Sequence, residues 1–154
     1  MYWRLSREEF RQKRGELNRK ALKNLADSGL MPGILAYTNG QPVGWVSVAP
    51  RETFVRLGNS RALKRIDDKP VWSVVCFFVA KPFRRRGLSA RLLEAAVQNA
   101  KEKGGKIVEG YPVDPKKEWP APFVYTGPAS AFRRVGFKEV IRRSKARPIM
   151  RYTV

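Results

Sequence analysis

An apolar run over residues 71–79 passes through a basic turn into an amphipathic segment over residues 88–101. The run is almost free of polar interruption, as expected for a central strand buried on both faces of an α/β sheet. Leu88, Leu92, Leu93, Ala96, Val97 and Ala100 then recur at helical spacing, and Gly104-Gly105 ends the pattern. A strand followed so closely by a helix with one apolar stripe must fold that helix back onto its own sheet. The turn between them reads Lys81-Pro82-Phe83-Arg84-Arg85-Arg86-Gly87. The first N–H groups of a helix are unpaired and lie at its positive end, which favours phosphate oxygens. Three arginines add charge-assisted donors, and Gly87 lets a ligand approach the main chain without meeting a side chain.

Ser6-Arg7-Glu8-Glu9 is a capping box, and Phe10, Leu17, Ala21 and Leu25 continue at helical spacing, so one helix is expected as far as Asp27-Ser28-Gly29. Residues 2–5 are expected to form a short strand before it. Residues 33–38 and 42–48 read as two strands around Asn39-Gly40, a hairpin signal. A short helix is expected over 57–66 and a turn at Asp67-Asp68-Lys69-Pro70. Residues 106–111 form a strand parallel to the run at 71–79, by the right-handed crossover rule. The long segment 111–128 contains Pro112, Pro115, Pro120 and Pro122, and long loops of this kind tend to be functional or mobile. A short helix over 128–135 and antiparallel strands over 137–142 and 149–153 complete the chain, with no internal repeat.

At 154 residues with 43% apolar content, the chain is read as a single domain over 1–154 that can bury a core. No apolar run reaches the ~20 residues of a membrane span, and the start lacks the apolar stretch of a secretory signal. Cys76 is the one cysteine, which points to the reducing cytoplasm. No histidine is present, so the commonest general base and metal ligand is missing and no metal site is expected. The formal net charge of +19 favours anionic ligands and polyanionic surfaces, and the charge is spread over residues 4–23, 84–106 and 133–151.

Arg84-x-x-Gly87-x-Ser89, between a strand ending in Val79 and a helix beginning Leu88-Ser89-Ala90-Arg91, resembles the coenzyme A pyrophosphate loop of GNAT superfamily N-acetyltransferases. The family pattern has Gly or Ala where Ser89 stands. Phe132-Arg133-Arg134-Val135-Gly136-Phe137 is similar to a second family motif, and the order of elements resembles the GNAT fold over nearly the whole chain. The likeness is weakest at the start, which is read as truncated, mis-started or supplied differently. Trp72-Ser73-Val74-Val75-Cys76-Phe77-Phe78-Val79, with Val43-Gly44-Trp45-Val46-Ser47-Val48-Ala49-Pro50-Arg51 upstream and Tyr111-Pro112-Val113-Asp114 downstream, resembles a bacterial subgroup without an assigned substrate.

The resemblance implies an α/β (α+β) acyl-CoA N-acyltransferase fold, a mixed central sheet flanked by helices. It also implies acetyl-CoA as co-substrate and a primary amine as acceptor. Carried over residue by residue, it assigns the pantetheine arm to the main chain of Phe77, Phe78 and Val79. The pyrophosphate falls to Arg84, Arg85, Arg86, Gly87, Leu88 and Ser89. Phe132 stands in the second motif, beside the cofactor, where many members carry a tyrosine acid. Phenylalanine donates no proton, which leaves Tyr125 and Ser130, a water, or no acid.

A primary amine is largely protonated at neutral pH, so a base or a desolvated site must remove a proton before attack on the thioester. Glu109 is the first base candidate, with Glu52 and Asp114 behind it. Cys76 reads as a small hydrophobe rather than a nucleophile. A basic surface suits an anionic acceptor. Two other readings stand beside this one. One is a nucleic-acid-binding module, for which +19 and exposed aromatics at Trp3 and Trp119 speak although no motif does. The other is a domain that binds coenzyme A without catalysis. A homodimer is an expectation from similar proteins.

Overall fold

The computed structural model describes residues 1–114 and 120–154, with Ala121 described by its main chain alone. Pro115 and Trp119 lie outside the described residues. Two short helices open the chain, α1 (Arg7–Gln12) and α2 (Glu16–Asp27). The capping box forms as the sequence indicates: Glu9 N–H donates to Ser6 Oγ at 3.2 Å, and Ser6 N–H to a Glu9 carboxylate oxygen at 2.9 Å. The expected single helix is nevertheless two. Gly15 takes φ +68° and ψ −121°, a conformation that side chains resist, and the chain turns there.

Residues 2–5 make a turn and not a strand, with the N–H groups of Arg4 and Leu5 both donating to the carbonyl of Met1. Their aromatic rings explain the difference, because Tyr2 packs edge-on against both Trp3 and Phe10. The sheet therefore begins later, with β1 (Ile34–Thr38) and β2 (Gln41–Pro50). Asn39 and Gly40 both have positive φ, +48° and +73°, as a two-residue hairpin turn of matching twist requires.

After β2 the helix expected over 57–66 shrinks to α3 (Val55–Gly58). The rest of that segment is held as turns by Arg51, which donates to the carbonyls of Leu57 and Leu63. Then follow β3 (Trp72–Val79), α4 (Leu88–Glu102), β4 (Ile107–Gly110), α5 (Ala129–Val135), β5 (Lys138–Ser144) and β6 (Arg147–Thr153). The six strands lie in the order β1-β2-β3-β4-β6-β5. Only β3 and β4 are parallel, and the other neighbours are antiparallel, so the sheet is mixed as expected.

One core lies between the sheet and the helices α4 and α5, where Leu93, Ala96, Val108 and Phe132 are fully buried. A smaller core covers the other face with Phe54, Leu57, Val75, Tyr111 and Ile149. Each large apolar side chain so buried stabilises by about 1.5–3 kcal/mol. Two irregularities position the site. Ser47 pairs with Cys76 but Val48 with Val74, so Val75 bulges out of the β2–β3 ladder. The β3–β4 ladder covers only Trp72–Val108, Ser73–Glu109 and Val74–Gly110, and beyond it the two strands part.

Candidate functional site

The turn after β3 tightens through residues 81–83, where the N–H groups of Phe83 and Arg84 donate to the carbonyls of Ala80 and Lys81. The Arg84 side chain folds back, with Nε donating to the carbonyl of Val79 at 2.9 Å. Arg85 (φ +59°) and Gly87 (φ +80°) are left-handed, and these two residues swing the chain into α4. The carbonyl of Gly87 accepts from Ala90 and Arg91, so the N–H groups of Leu88 and Ser89 precede the first intrahelical bond. They open into a recess of about 300 Å³ whose walls include Arg84, Arg85, Ser89, Ser130 and Arg134.

Sequence reasoning did not find Arg134. Its signal was there, since Ser130 and Arg134 are four residues apart and share one face of α5. Arg86 goes elsewhere: it lines a groove on the β1 side of α4 and is not a wall of the recess. Three consecutive residues leaving a tight turn cannot all face one way, and this one faces the hairpin.

The recess shares Val79, Arg84, Arg85, Ser89, Pro128 and Ser130 with a longer cleft of about 1010 Å³. Phe77, Phe78 and Val79 form one wall, and Pro120, Pro122, Val124, Tyr125 and Gly127 the other. Charge sits at one end and apolar walls along the rest. Some of the main-chain groups expected to be open on β3 already have partners. Phe77 N–H donates to the carbonyl of Tyr125 at 2.6 Å, the Val79 carbonyl accepts from Arg84, and Phe78 pairs with Trp45 of β2. The gap where β3 and β4 part is therefore filled by the chain's own residues 125–128, which also bridge to Val113.

Tyr125 and Ser130, the two hydroxyl candidates, both line the cleft. Tyr125 is half-buried, and its ring meets Tyr2 edge-on at 6.3 Å and lies tilted against Trp3 at 6.4 Å. Burial, before any neighbouring charge, pushes its phenol above the usual value, so the proton stays on. Trp3, expected on the surface, is partly buried in this cluster. Phe132 is not a wall of the cleft. It is fully buried, edge-on to Phe77 at 6.0 Å and to Phe137 at 5.0 Å, and its ring belongs to the core.

Among the described residues no carboxylate lines the cleft. Glu109 alternates with Val108 along β4 and faces the smaller core, away from α4. There it is 1% exposed and accepts from Tyr111 Oη at 2.6 Å, Arg51 Nη1 at 3.3 Å and Arg151 Nε at 2.7 Å. Two guanidiniums and a phenol occupy the lone pairs a base would need. Burial, and then the Glu109 charge, holds the Tyr111 phenol well above its ordinary value. Arg151 also grips Asp67 through two nitrogens, which fixes the 67–70 turn to β6.

Glu52 is exposed and paired with Arg65. Asp114 lies between Arg133 and Arg142, whose guanidiniums, Arg133 first, hold its carboxyl below the usual range. Cys76 does not line the cleft, and burial raises its thiol.

The sequence model of the acetyltransferase (GNAT) family matches residues 1–115. No curated sequence matches the chain significantly. Among solved structures, the chain is similar to a PaiA N-acetyltransferase from Thermoplasma acidophilum in complex with coenzyme A. The TM-score there is 0.57 at 16% identity, with 97% of this chain and 80% of that one covered. It is similar also to a ribosomal-protein-alanine N-acetyltransferase from Brucella melitensis, at TM-score 0.56 and 18% identity over 91% and 80% of the two chains. A GNAT acetyltransferase from Streptococcus agalactiae gives a TM-score of 0.58 at 12% identity, covering 96% of this chain and 78% of that one. At these identities the likeness is one of fold, and the family match rests on the sequence itself. The chain folds as a six-stranded mixed sheet that parts between β3 and β4, with a basic turn at the mouth of the gap, and by the family match over residues 1–115 it belongs to the GNAT family of acetyltransferases.

Proposed function

We propose that this chain transfers an acetyl group from acetyl-CoA to a primary amine carried by an acceptor with anionic groups. One observation carries the reading: a cationic recess at the start of α4 opens into an apolar cleft along β3, with Val79 and Ser89 common to both. Acetyl-CoA has that division, with phosphates at one end and a slender arm at the other, and when bound it supplies the thioester that an amine attacks. Arg84, Arg85, Arg134 and the N–H groups that open α4 hold the phosphates. Phe78, Val79 and the proline-rich wall exclude water from the arm.

No described carboxylate serves as base, so the amine is made neutral by its surroundings. A cationic field disfavours a second cation and lowers an amine's affinity for its proton. The same field draws an anionic acceptor. Tyr125 keeps its proton through the neutral range and donates it toward the departing sulfur, with Ser130 as the other hydroxyl on the cleft.

Thermal unfolding with acetyl-CoA, and in parallel with ADP, tests the donor site. A larger shift with acetyl-CoA supports recognition of the arm, and equal shifts reduce the site to a phosphate binder. Turnover is then read as free thiol released with a panel of amines, where Tyr125→Phe should slow release more than it weakens binding. A second reading has a specific observation behind it. Phe132 carries no hydroxyl and Phe77 N–H is already engaged, as in a chain that binds coenzyme A without turnover. Normal acetyl-CoA binding with no thiol released by any amine would favour that reading.

A further inference from the structure

The two edges of the sheet are guarded differently. At one end β5 carries Lys138, Glu139, Arg142 and Arg143, and charges of this kind keep foreign strands from pairing with an edge. At the other end β1 carries none. Residues 28–50 contain no Asp, Glu, Lys or Arg, and among the described residues only β2 hydrogen-bonds to the main chain of β1. The bulge in the hairpin gives no protection either. Ala36 pairs with Gly44 and Tyr37 with Pro42, so the extra residue is Val43 and the bulge belongs to β2.

The two faces beside this edge differ in chemistry. Ile34 and Ala36 pack toward the core under α4, and Leu35 and Tyr37 alternate with them onto the opposite face, where they are 48% and 60% exposed. On the α4 side a groove of about 410 Å³ runs along β1, with Phe83, Arg86, Arg91 and Ala95 among its other walls. Arg86 and Arg91 are exposed, and neither has an ion-pair partner among the described residues. Between Asp68 and Glu94 the sequence has no carboxylate side chain to supply one. The edge is therefore apolar on one face and cationic on the other.

We infer that β1 is the docking edge for an extended segment of a partner protein in which acidic and apolar side chains alternate. Main-chain bonds to β1 add the segment to the six-stranded sheet as one more strand. Its successive side chains then fall on opposite faces. Those on the α4 side meet Arg86 and Arg91, which carboxylates neutralise, and those on the other side cover Leu35 and Tyr37. Charge selects the occupant. The field of a chain of +19 draws an acidic segment in, whereas a basic one is repelled and leaves both guanidiniums unpaired. The groove shares no wall residue with the cleft along β3, so a segment docked here leaves that cleft open.

Fluorescence anisotropy of a labelled, end-blocked heptapeptide of alternating valine and glutamate, titrated with the full chain at physiological ionic strength, tests this. The alternating acidic peptide should bind. Its fully N-methylated form, a form with the same residues in two blocks, and a valine–lysine counterpart should each bind at least about tenfold more weakly. Tyr37→Glu puts a carboxylate on the apolar face and should weaken binding about tenfold or more, as should Arg86→Gln together with Arg91→Gln. Arg14→Gln with Lys20→Gln removes the same charge from exposed positions elsewhere and should leave affinity within about twofold. An unchanged far-ultraviolet spectrum and melting midpoint for Tyr37→Glu shows that the loss is one of binding. Failure of the alternating peptide to bind overturns the inference. Equal binding of the block or N-methylated form, or an equal loss in the Arg14 and Lys20 variant, reduces the contact to diffuse charge and overturns it too. A chain that self-associates through β1, and for that reason takes up no peptide, gives the edge to a second copy and overturns it equally.

Discussion

Replacing Gly87 by Asp separates what the turn does for the fold from what it does for a ligand. Gly87 sits at φ +80° and ψ 0°, and a Cβ built there meets nothing nearer than Arg134 Nη1 at 3.8 Å. Among side chains, Asp and Asn enter this left-handed region most readily, at a strain of about 1 kcal/mol. A carboxylate at the start of α4 recovers about 0.3–1 kcal/mol from the helix dipole. The net loss is then below about 1 kcal/mol, which for a chain of this length moves the midpoint by at most about 2–4 °C.

The ligand side is different. The new carboxylate stands among Arg84, Arg134 and the opening N–H groups, where phosphates are to bind. Acetyl-CoA at about 100 times its dissociation constant stabilises the wild type by about 2.7 kcal/mol, and a hundredfold weaker variant gains only about 0.4 kcal/mol at that concentration. Differential scanning calorimetry should therefore show midpoints that nearly coincide without ligand and separate by several degrees with it. Gly87→Asn has the same backbone tolerance without the charge and should fall between the two. A wild-type ligand shift in Gly87→Asp refutes the phosphate cradle, and a variant crippled without ligand refutes the open space around Gly87.

Three further outcomes follow from the same geometry. Glu109→Gln leaves the buried Arg51 without an anion, and the partly buried Arg151 with Asp67 alone, and should cost about 3–5 kcal/mol in urea unfolding; undiminished stability with slowed thiol release would make Glu109 a base after all. Phe132→Tyr should not quicken turnover, because Phe132 Cζ lies 2.8 Å from where a Gly110 Cβ would stand. The added hydroxyl is placed in a fully buried, tightly packed site beside Gly110 and destabilises by about 1–3 kcal/mol, and faster thiol release would sink this account of the ring. The depressed carboxyl of Asp114 contributes stability above the ordinary carboxylate range and loses it as pH falls through its folded value. Asp114→Asn should therefore flatten the decline in melting midpoint between about pH 5 and 3, and an unchanged decline would assign acid sensitivity to other carboxylates.

Periodic features were legible in the sequence, and features set by distant contacts were not. The strand, turn and helix around Arg84 and Gly87 could be read because a two-sided apolar run, a glycine and a helical stripe are each local signals. Asn39-Gly40 is local in the same sense. Gly15 was hidden because the capping box before it and the apolar spacing after it agree on one continuous helix. For Glu109, strand alternation says that it opposes Val108 but not which face carries the cleft, and the guanidiniums that claim it come from 58 and 42 residues away. The engagement of Phe77 N–H by Tyr125 had no sequence signal, because a carbonyl acceptor is present in every residue.

The exclusion of Phe132 from the cleft has a packing cause. Gly127 is left-handed at φ +87°, and a Cβ there would come within 2.9 Å of Phe77 Cε2 and 3.0 Å of Phe132 Cε2. Gly110 closes on the same Phe132 ring from β4, again at distances no side chain would allow. Two glycines thus let two stretches of main chain clasp one aromatic ring, and that ring seals the inner end of the gap between β3 and β4. What stays open is the cleft whose walls include Val79, Ser130 and Tyr125. The hydroxyl proposed as donor therefore rides on the residue whose carbonyl holds Phe77 N–H. A ligand group that takes this N–H must first displace the Tyr125 carbonyl, and the Tyr125 main chain moves with it. In the reaction proposed above, occupation of the β3 edge and placement of the donor are in this way one event, which a tyrosine fixed on α5 would have kept apart.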